Sequence, residues 1–320
     1  MPNLAVALDL GGTQIRGALV DEAGAILARQ VRRTPAREGA DAVVAALAQV
    51  SRDAAAAAGT RPVVGIGLSA PGPLDAEKGI ALATPTIAGF TDFPLARNLE
   101  AAAGLPVALE NDGIAAAIGE WRFGAGRGKS HMVYVTVSTG IGGGAVVDGH
   151  VLRGRKGMAT HIGHMTVMHG GELCVCGNHG CFEAYASGTA FLARARRLSM
   201  HRPDSALSGL NEALTGPEVF AAARDGDELA CELVAEEATM LGLGFANLLH
   251  LYSPELIVVG GGMSSEFNAL EAGILRAMRG AALAPFRDVP VVTAALGDNS
   301  GLSGAGAIAY QAFGTNGTRR

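Results

Sequence analysis

The chain has 320 residues, of which 49% are hydrophobic and 17% are charged, and its formal net charge is −5. This length and composition exclude a disordered chain and favour two domains with buried cores. The mild acidity argues against a nucleic-acid-binding protein, because such proteins carry basic surfaces, and the basic stretches at 153–156 and 319–320 are short.

The first third of the chain alternates apolar runs with Ala-rich segments. Short apolar runs bounded by Gly or Pro predict strands, and apolar residues at three- and four-residue spacing predict helices. The predicted elements are strands at 4–10, 15–20, 63–68 and 106–109 and helices at 39–58, 93–103 and 113–123. The run 4–10 contains Asp9 and leads into Gly11, so we interpret it as a strand rather than a signal sequence, and we expect a cytoplasmic protein.

The rest of the chain continues this alternation, which favours an α/β architecture. The predicted elements are strands at 132–137, 145–147, 256–259 and 290–293 and helices at 188–200, 215–224, 228–251, 266–280 and 301–313. The longest apolar candidate, 132–147, is broken by a glycine cluster, so no membrane span is expected.

Two glycine-rich hairpins follow the same plan of strand, glycine turn and strand. In Asp9-Leu10-Gly11-Gly12-Thr13, glycines let backbone N–H groups approach phosphate oxygens, Thr13 adds a hydroxyl, and Asp9 suits the water shell of Mg²⁺. In Thr139-Gly140-Ile141-Gly142-Gly143-Gly144, the glycines weaken a strand, and close approach of a phosphate would offset that cost. The alternatives are a plain hairpin turn and a bulged strand. The repeat predicts two related halves that each present a hairpin to a shared cleft.

A third glycine run, Gly260-Gly261-Gly262, follows the strand at 256–259 and precedes a helix. Ligands bind at the carboxyl ends of such strands, so the adenosine half of a nucleotide is a candidate occupant. The spacing does not match the dinucleotide fingerprint, which argues against NAD. A tight turn into a helix is the alternative.

The tripeptide Glu110-Asn111-Asp112 ends a strand and opens a helix. A carboxylate at a strand end suits a base that accepts the proton of a substrate hydroxyl during phosphoryl transfer. An Asp at this position is also a good helix N-cap, and taken alone these residues favour the cap.

The segment 161–183 carries three cysteines and several histidines. A Cys₃His set closes a tetrahedral shell, which is typical of structural zinc, whereas a disulfide framework would spread its cysteines along the chain. His179 and His169 are rival ligands, and three buried free thiols are the alternative to a metal. The predicted zinc ligands are His164, Cys174, Cys176 and Cys181.

Taken together, the motifs resemble the ROK family of sugar kinases and sugar-responsive repressors over about residues 4–312. The motifs are DLGGT (9–13), SAPGPLD (69–75), ENDG (110–113), VSTGIGGG (137–144), HIGH (161–164) and CVCGNHGCFEAYASG (174–188). The resemblance implies an α/β, actin-like (ribonuclease H-like) ATPase fold with two domains around a cleft. We expect domains at 1–115 and 116–300, the zinc loop in the second, and a helix at about 301–315 that packs back on the first.

Members of the family phosphorylate the 6-hydroxyl of hexoses or related sugars, so the resemblance implies ATP and Mg²⁺ as well as zinc. It implies Asp112 as the catalytic base, with Asn111, Glu183 and His164 as sugar ligands. His164 would use one ring nitrogen for zinc and the other for a sugar hydroxyl. Gly72 and Thr86 also match positions expected at the sugar.

Two positions depart from the pattern of the family's glucose kinases. Those kinases usually carry Glu where this chain has His161, and Asn where it has Thr86. A carboxylate accepts from two hydroxyls, whereas a neutral His accepts from one and donates from its other nitrogen. The rest of the pattern resembles glucokinase, so we expect glucose as the substrate. Some bacterial N-acetylmannosamine kinases share the His, which makes an N-acetylhexosamine the alternative.

Other classes of protein fit the residues less well. A repressor of this family carries a DNA-binding domain before the first hairpin, and Asp9 lies almost at the start of this chain. A non-catalytic sugar-binding protein needs neither the base nor the phosphate hairpins, and the cysteine loop argues against other ATPases of the fold. We expect a sugar and ATP as partners, no nucleic acid or membrane, and a homodimer before a tetramer. The sequence leaves open ATP or polyphosphate as the phosphoryl donor.

Overall fold

A computed structural model describes residues 3–84 and 86–314 of the chain. Contacts within the chain group it into two compact units. Unit 1 comprises Met1–Lys129, Gly144–Thr160 and Ala295–Arg320, and unit 2 comprises Ser130–Gly143 and His161–Ala294. The functional domains expected at 1–115 and 116–300 stay a prediction.

Strands and helices alternate along the chain, as the apolar pattern predicts. The strands are β1 (Leu4–Leu10), β2 (Gln14–Val20), β3 (Ile26–Arg33), β4 (Val63–Ala70), β5 (Leu74–Asp75), β6 (Ile80–Ala83), β7 (Thr91–Phe93), β8 (Val107–Asn111), β9 (Met132–Val137), β10 (Ile141–Val147), β11 (His150–Val151), β12 (Leu256–Gly260) and β13 (Val291–Thr293). The helices are α1 (Ala40–Ala56), α2 (Leu95–Ala103), α3 (Asp112–Phe123), α4 (Glu183–Ala186), α5 (Gly188–Ser199), α6 (Gly216–Arg224), α7 (Glu228–Tyr252), α8 (Phe267–Ala281) and α9 (Ser300–Phe313). Across the described residues, none of these helices has the length and apolar character that a membrane crossing requires.

Two five-stranded sheets repeat one strand order. The first has the order β3-β2-β1-β4-β8 and the second has the order β11-β10-β9-β12-β13. In the first sheet, β1 pairs antiparallel with β2 and parallel with β4, which pairs parallel with β8. In the second, β12 lies parallel between β9 and β13. The parallel strands end together, so residues at their carboxyl ends become neighbours.

The core of unit 1 reflects the two faces of β1. Leu4, Val6, Leu8 and Leu10 pack into a cluster of large apolar side chains that includes α1. On the other face, Ala5 and Ala7 of β1 pack against Leu302, Ala305 and Ala309 of α9. Side chains alternate across a strand, so the small residues leave room for a helix backbone to approach closely.

Glycines allow that close approach of α9. A Cβ on Gly67 of β4 would strike the carbonyl of Ala305, and a Cβ on Gly304 would strike the carbonyl of Ala115 in α3. The helix expected at about 301–315 therefore packs on β1, β4 and α3 of unit 1, while residue 315 lies outside the described residues.

The structure corrects the interpretation of the second glycine run. Gly142, Gly143 and Gly144 lie inside strand β10 rather than in a turn. A Cβ on Gly143 would strike the carbonyl of Tyr134, and one on Gly144 would strike the side chain of Ala117. Close packing inside the protein therefore explains why positions 143 and 144 carry glycine, and a bound phosphate is not needed to explain them.

Candidate active site

Polar side chains stand in a row at the carboxyl ends of β1, β4 and β8. The strand register pairs Asp9 with Ser69 and Ser69 with Glu110. Asn111 is the last residue of β8, and Asp112 is the first residue of α3. The sheet therefore brings together residues that are up to a hundred positions apart in the sequence, at the edge where ligands bind in α/β folds.

The carboxylate of Asp9 is buried and has partners on both oxygens. Its Oδ2 accepts hydrogen bonds from Nε and Nη2 of Arg16 at 3.1 and 2.5 Å, and its Oδ1 accepts from the hydroxyl of Ser69 at 2.8 Å. Arg16 also donates to the carbonyl of Asp298. Arg16 was not predicted as a site residue, although it lies directly opposite Asp9 in the β1–β2 register, which the hairpin turn sets.

The first glycine hairpin is a tight turn, and hydrogen bonds from Thr34 hold it on one side. The Gly11 N–H donates to the carbonyl of Gln14, while Thr34 donates its N–H to Thr13 and its hydroxyl to Gly11. Among the described residues, a Cβ on Gly12 would meet only Thr86, at an ordinary contact distance of 3.6 Å. Packing against the described part of the chain therefore does not demand glycine at position 12, which leaves room for a ligand to approach the backbone.

Asn111, not Asp112, caps helix α3. The Asn111 Oδ1 accepts from the N–H of Gly113 at 3.0 Å and of Ile114 at 3.4 Å. The alternative that Asp112 serves as the N-cap is therefore wrong. Asp112 Oδ1 accepts from the N–H of Gly113 at 2.8 Å, and its side chain remains partly open to solvent.

The protein around the carboxyl group of Asp112 changes its acidity. Although the side chain has an exposed part, its surroundings desolvate the charged form and raise the pKa of Asp112 to about 6. The N–H of Gly113 lowers this pKa, and the negative charge of Asp9 raises it. A carboxyl group with a pKa near 6 is mostly ionised at neutral pH and holds a proton more readily than an ordinary Asp, as a general base requires.

Two further carboxylates near this edge neutralise the basic stretch at 153–156. Glu110 is buried and accepts from Nε of Arg153 at 2.8 Å, and Asp75 lies 3.8 Å from Nζ of Lys156. Burial raises the pKa of Glu110, and Arg153 opposes that shift. Gly72 lies in the loop between β4 and β5. The hydroxyl of Thr84 donates a hydrogen bond to the carbonyl of Pro71 in this loop.

In unit 2, the predicted zinc ligands come together. One ligand atom from each of the four residues lies within 4.8 Å of all the others. Cys174 Sγ lies 3.7 Å from His164 Nδ1, and Cys176 Sγ lies 3.7 Å from Cys181 Sγ. Tetrahedral zinc with Zn–S bonds of about 2.3 Å separates its sulfurs by about 3.8 Å, so the donor set fits this metal.

The other histidines of the loop do not compete for the cluster. His179 Nδ1 lies 2.9 Å from the carbonyl of Gly171, outside the group. His161 is exposed, with its ring centroid 6.3 Å from that of His164. Burial lowers the pKa of His161, and the neighbouring charge of His164 lowers it further, which favours the neutral ring at pH 7.

Glu183, the first residue of α4, contacts the second glycine hairpin. Its Oε2 accepts the N–H of Ile141 at 2.8 Å, and a Cβ on Gly140 would strike this carboxylate. Thr139 is exposed at the same turn, while its carbonyl accepts the N–H of Thr189. Gly142 would accommodate a Cβ at 3.4 Å from Thr136, which is a tight contact but not a clash.

The three glycines at the end of β12 differ in the physical reason for glycine at each position. A Cβ on Gly260 would strike the ring of Tyr134, and Gly261 has a φ of +84°, which L-residues rarely adopt. Gly262 has open space beside it and would meet only Ser138, at 3.9 Å. Gly262 is therefore the one of the three that could face a ligand without any packing role.

The ROK family model matches residues 5–312 of the chain. The chain belongs to the ROK family. A glucokinase of Streptomyces coelicolor is 34% identical over 318 residues, covering 96% of this chain and 98% of the relative. An N-acetylmannosamine kinase of Yersinia pseudotuberculosis is 34% identical over 300 residues, covering 94% and 96%.

A solved structure confirms the predicted actin-like ATPase fold for this ROK protein. The ROK family glucokinase of Streptomyces griseus, in complex with glucose and AMPPNP, has a TM-score of 0.84 at 35% identity. The alignment covers 96% of this chain and 99% of that one. The resemblance to ROK proteins that the motifs indicate is thus confirmed over nearly the whole chain.

Proposed function

We propose that this ROK protein is a sugar kinase that transfers the γ-phosphoryl group of ATP to the 6-hydroxyl of a hexose, with glucose as the first substrate. The glucokinase relatives support this reaction. The observation that carries it is Asp112, a carboxylate of raised pKa at the start of α3 beside the Asp9 hairpin.

Asp112 is the proposed catalytic base. It accepts the proton of the 6-hydroxyl while the hydroxyl oxygen bonds to the γ-phosphorus and the bond to the departing ADP breaks. Backbone N–H groups of Gly12 and Thr13 would hold phosphate oxygens, and Gly11, whose N–H donates to Gln14, would let the turn approach them closely. Mg²⁺, bound with ATP, supplies positive charge to the phosphates, and Asp9 would hold its water shell while sharing its oxygens with Arg16.

Residues of unit 2 serve the same reaction in this proposal. Thr139, Gly140 and Gly142 would contact phosphates. The glycines Gly260, Gly261 and Gly262 would lie near the adenosine, with Gly262 best suited to face it.

The sugar would be held by hydrogen bonds. The proposed ligands are Asn111, Asp112, His161, His164, Glu183, Gly72 and Thr86. Asn111 uses its amide oxygen to cap α3, so its NH₂ group is the part suited to donate to a hydroxyl. Glu183 Oε2 accepts from Ile141, so a sugar hydroxyl would take the remaining acceptor capacity of this carboxylate.

We also propose that His164, Cys174, Cys176 and Cys181 hold a structural zinc ion. His164 turns Nδ1 toward the sulfurs, so Nε2 is left for a sugar hydroxyl. Zinc would thereby fix the orientation of a sugar ligand while taking no part in the chemistry. A cytoplasmic location and a homodimer, with a tetramer as the second choice, belong to the same proposal.

An N-acetylhexosamine kinase, with N-acetylmannosamine as its substrate, is the second candidate. It is favoured by His161, which a lowered pKa keeps neutral, and by the Yersinia relative of that name. A neutral imidazole offers one donor and one acceptor, a pairing that also suits an amide substituent.

Coupled measurement of ADP release tests this proposal. The purified protein is assayed with MgATP against glucose, mannose, N-acetylmannosamine, N-acetylglucosamine and fructose. We expect the highest kcat/KM with glucose, and a higher value with an N-acetylhexosamine would establish the second candidate. Sugar binding by a folded protein without ADP release from any sugar would instead indicate a non-catalytic, sugar-responsive regulator.

A further inference from the structure

Strand β3 forms an open edge of the first sheet. It pairs with β2 on one side and lies at the end of the strand order β3-β2-β1-β4-β8. Across residues 3–84 and 86–314, no strand is paired with its other side. Such an edge presents a row of unpaired backbone N–H and C=O groups, with which a second extended chain can pair.

The hydrogen bonds between β2 and β3 show which residues of β3 face outward. Thr34 donates its N–H to the carbonyl of Thr13 at 2.9 Å, so these two residues form a hydrogen-bonded pair, and Arg33 belongs to the next pair of the register. In an antiparallel ladder, hydrogen-bonded pairs alternate with pairs whose N–H and C=O groups point away from the partner strand. The backbone groups of Arg29, Val31 and Arg33 therefore point out of the sheet.

The same three residues carry exposed side chains. Val31 is 56% exposed and stands between Arg29 and Arg33 on one face of the strand, because side chains alternate between the two faces. Arg32 is exposed on the other face. The edge therefore displays an apolar side chain between two positive charges, with a third positive charge behind them.

No acidic side chain neutralises these arginines. Within the described part of the chain, Arg29, Arg32 and Arg33 form no ion pair. Arg29 donates to the amide oxygen of Asn299, which is uncharged. All three guanidinium groups therefore keep a full positive charge that a carboxylate of another molecule can pair with.

The positive charge continues past the end of the strand. A cavity of about 970 Å³ begins there, and the charged residues among its described lining are Arg32, Arg33, Arg37, Arg52 and Glu38. In a chain with a net charge of −5, this is a local excess of positive charge, which attracts acidic groups.

The backbone of the edge limits the chemistry of its partner. It offers both N–H donors and C=O acceptors. The phosphate oxygens of a nucleic acid only accept hydrogen bonds, so they would leave the carbonyl groups of the edge unpaired. A peptide backbone supplies donors and acceptors at the spacing of a strand, which is how extended segments add to open sheet edges.

A second copy of this chain is a poor partner for the same edge. Pairing of β3 with β3 of another copy would bring the arginines of both strands together along one seam. Like charges across neighbouring strands are destabilising, and charged residues on an edge strand oppose pairing between copies. The charge of the edge therefore favours a different chain that carries acidic residues.

We propose that β3 binds an extended acidic segment of another protein, which adds an antiparallel strand to the first sheet. Carboxylates of the segment pair with Arg29, Arg32 and Arg33, and an apolar side chain between them packs beside Val31. This inference does not rest on the proposed sugar kinase activity.

A synthetic peptide designed on the register of β3 serves as the probe. Its sequence is Ac-Thr-Glu-Glu-Val-Thr-Glu-Thr-NH₂, and it carries a fluorophore. Antiparallel pairing places its glutamates opposite Arg33, Arg32 and Arg29 and its valine opposite Val31. Binding to the wild-type protein is measured by fluorescence anisotropy at fixed ionic strength, without sugar or nucleotide. We expect saturable binding, and its absence at peptide concentrations up to about 1 mM would overturn the inference.

Two N-methylated peptides test whether the backbones pair. The N–H of the peptide valine faces β3, so its methylation should weaken binding at least about tenfold. The N–H of the threonine that follows this valine faces away from β3, so its methylation should weaken binding less than about twofold. Equal effects of the two methyl groups would show that the peptide does not bind as a strand.

Val31→Pro tests the pairing from the side of the protein. The N–H of Val31 faces outward, and an edge strand tolerates proline at such a position. The variant should therefore stay folded, which a thermal unfolding scan checks, while the peptide binds at least about tenfold more weakly. Unchanged peptide binding by the folded variant would contradict the inference.

Two triple variants that lose the same charge test the ion pairs. R29Q/R32Q/R33Q removes the arginines of the edge and should weaken peptide binding about eightfold, since each exposed pair contributes about twofold. The control, which should weaken it less than about twofold, removes three exposed arginines elsewhere: R97Q/R197Q/R276Q.

Three further results would overturn the inference. Equal losses in the two triple variants would show that the net charge of the protein attracts the peptide. Displacement of the peptide by a DNA oligonucleotide of equal charge, with equal affinity, would assign the edge to polyanions in general. Dissociation of a wild-type oligomer by Val31→Pro, measured by sedimentation, would assign the edge to an interface between copies of this chain.

Discussion

Units 1 and 2 hold their candidate functional side chains by different physical means. In unit 1, Asp9, Ser69 and Glu110 stand at one level of three hydrogen-bonded parallel strands, so backbone pairing sets their positions. In unit 2, the segment from His161 to Glu183 has one short 3-10 turn and two isolated bridges before α4 begins.

The difference concerns what each region needs in order to keep its shape. A sheet edge positions side chains through main-chain hydrogen bonds, so a side chain there can change without moving its neighbours. An irregular loop has few such bonds, and its four metal-binding side chains must converge on one point. We therefore expect mutations at the sheet edge to affect chemistry, and mutations in the loop to affect structure first.

The largest effect on chemistry is expected from Asp112→Asn. The amide keeps the shape of the side chain but cannot accept the proton, so kcat should fall about 10²–10⁴-fold. Asp41→Asn, which changes an exposed acid in the first turn of α1, is the matched control. Steady-state kinetics measure turnover, and denaturant unfolding measures stability. The comparison between the two units would be contradicted if Asp112→Asn lost stability but kept its turnover.

Loss of one zinc ligand should weaken metal binding and the stability of the loop more than it slows the reaction. Cys176→Ser leaves three ligands, and we expect zinc affinity to fall more than about 100-fold, with a lower unfolding temperature. Cys231→Ser is the control, because this exposed cysteine lies in α7 outside the cluster. Metal analysis by mass spectrometry checks the prediction, which fails if a metal-free protein keeps full activity and stability.

A buried ion pair supports the helix that carries Glu183. Arg194 donates to the carbonyl of Tyr185 in α4 and to Glu237 of α7, whose carboxylate is fully buried. Burial raises the pKa of Glu237, and Arg194 opposes that shift. Removing the arginine leaves a buried carboxylate without its partner.

Arg194→Met should therefore lower the free energy of unfolding by about 3 kcal/mol. Arg202→Met breaks only exposed ion pairs, which solvent screens, and should cost much less. The double variant R194M/E237L should recover most of the loss, since apolar residues replace the whole pair. Urea unfolding measures all three, and equal costs for the two single variants would show that the buried pair does not support unit 2.

The smallest effect is expected from pH. Because the pKa of Asp112 is raised to about 6, the base is ionised above that pH and protonated below it. The kcat/KM for the sugar should be constant near pH 7–8 and fall about tenfold per unit below pH 6. A profile that stays flat down to pH 5, in a protein still folded there, would remove Asp112 from the role of base.

The apolar pattern predicted the central strands and the edge strands β8 and β13, but it missed the edge strands β3 and β11 and the short strands β5–β7. Strands β1 and β9 consist of buried residues throughout or nearly so, which makes their sequence unmistakable. Strand β3 lies at an edge and alternates exposed with half-buried residues, including Arg29 and Arg33, so its pattern resembled a loop. The short strands β5–β7 lie among Gly and Pro and carry too few residues for a pattern.

The motifs predicted the ROK family and the sugar kinase activity, and both are confirmed. The cluster of His164 with three cysteines follows from spacing alone, because the ligands lie close together in the chain. The partner of Glu110 could not be found in this way, nor could Ser69, the distant partner of Asp9. Arg153 is 43 residues from Glu110, and only the folded chain brings the two together.

The position of α9 has a consequence for the order in which the protein folds during synthesis. The face of β1 that carries Ala5 and Ala7 is covered by Leu302, Ala305 and Ala309, which are synthesised after every strand of that sheet. At a synthesis rate of about 5–20 residues per second, that face stays exposed for roughly 15–60 s before α9 can cover it. All of unit 2 precedes α9 in the chain. The synthesis of unit 2 therefore begins after that of unit 1 but ends before it. A nascent chain stalled before residue 300 should therefore bind chaperones through the exposed sheet of unit 1.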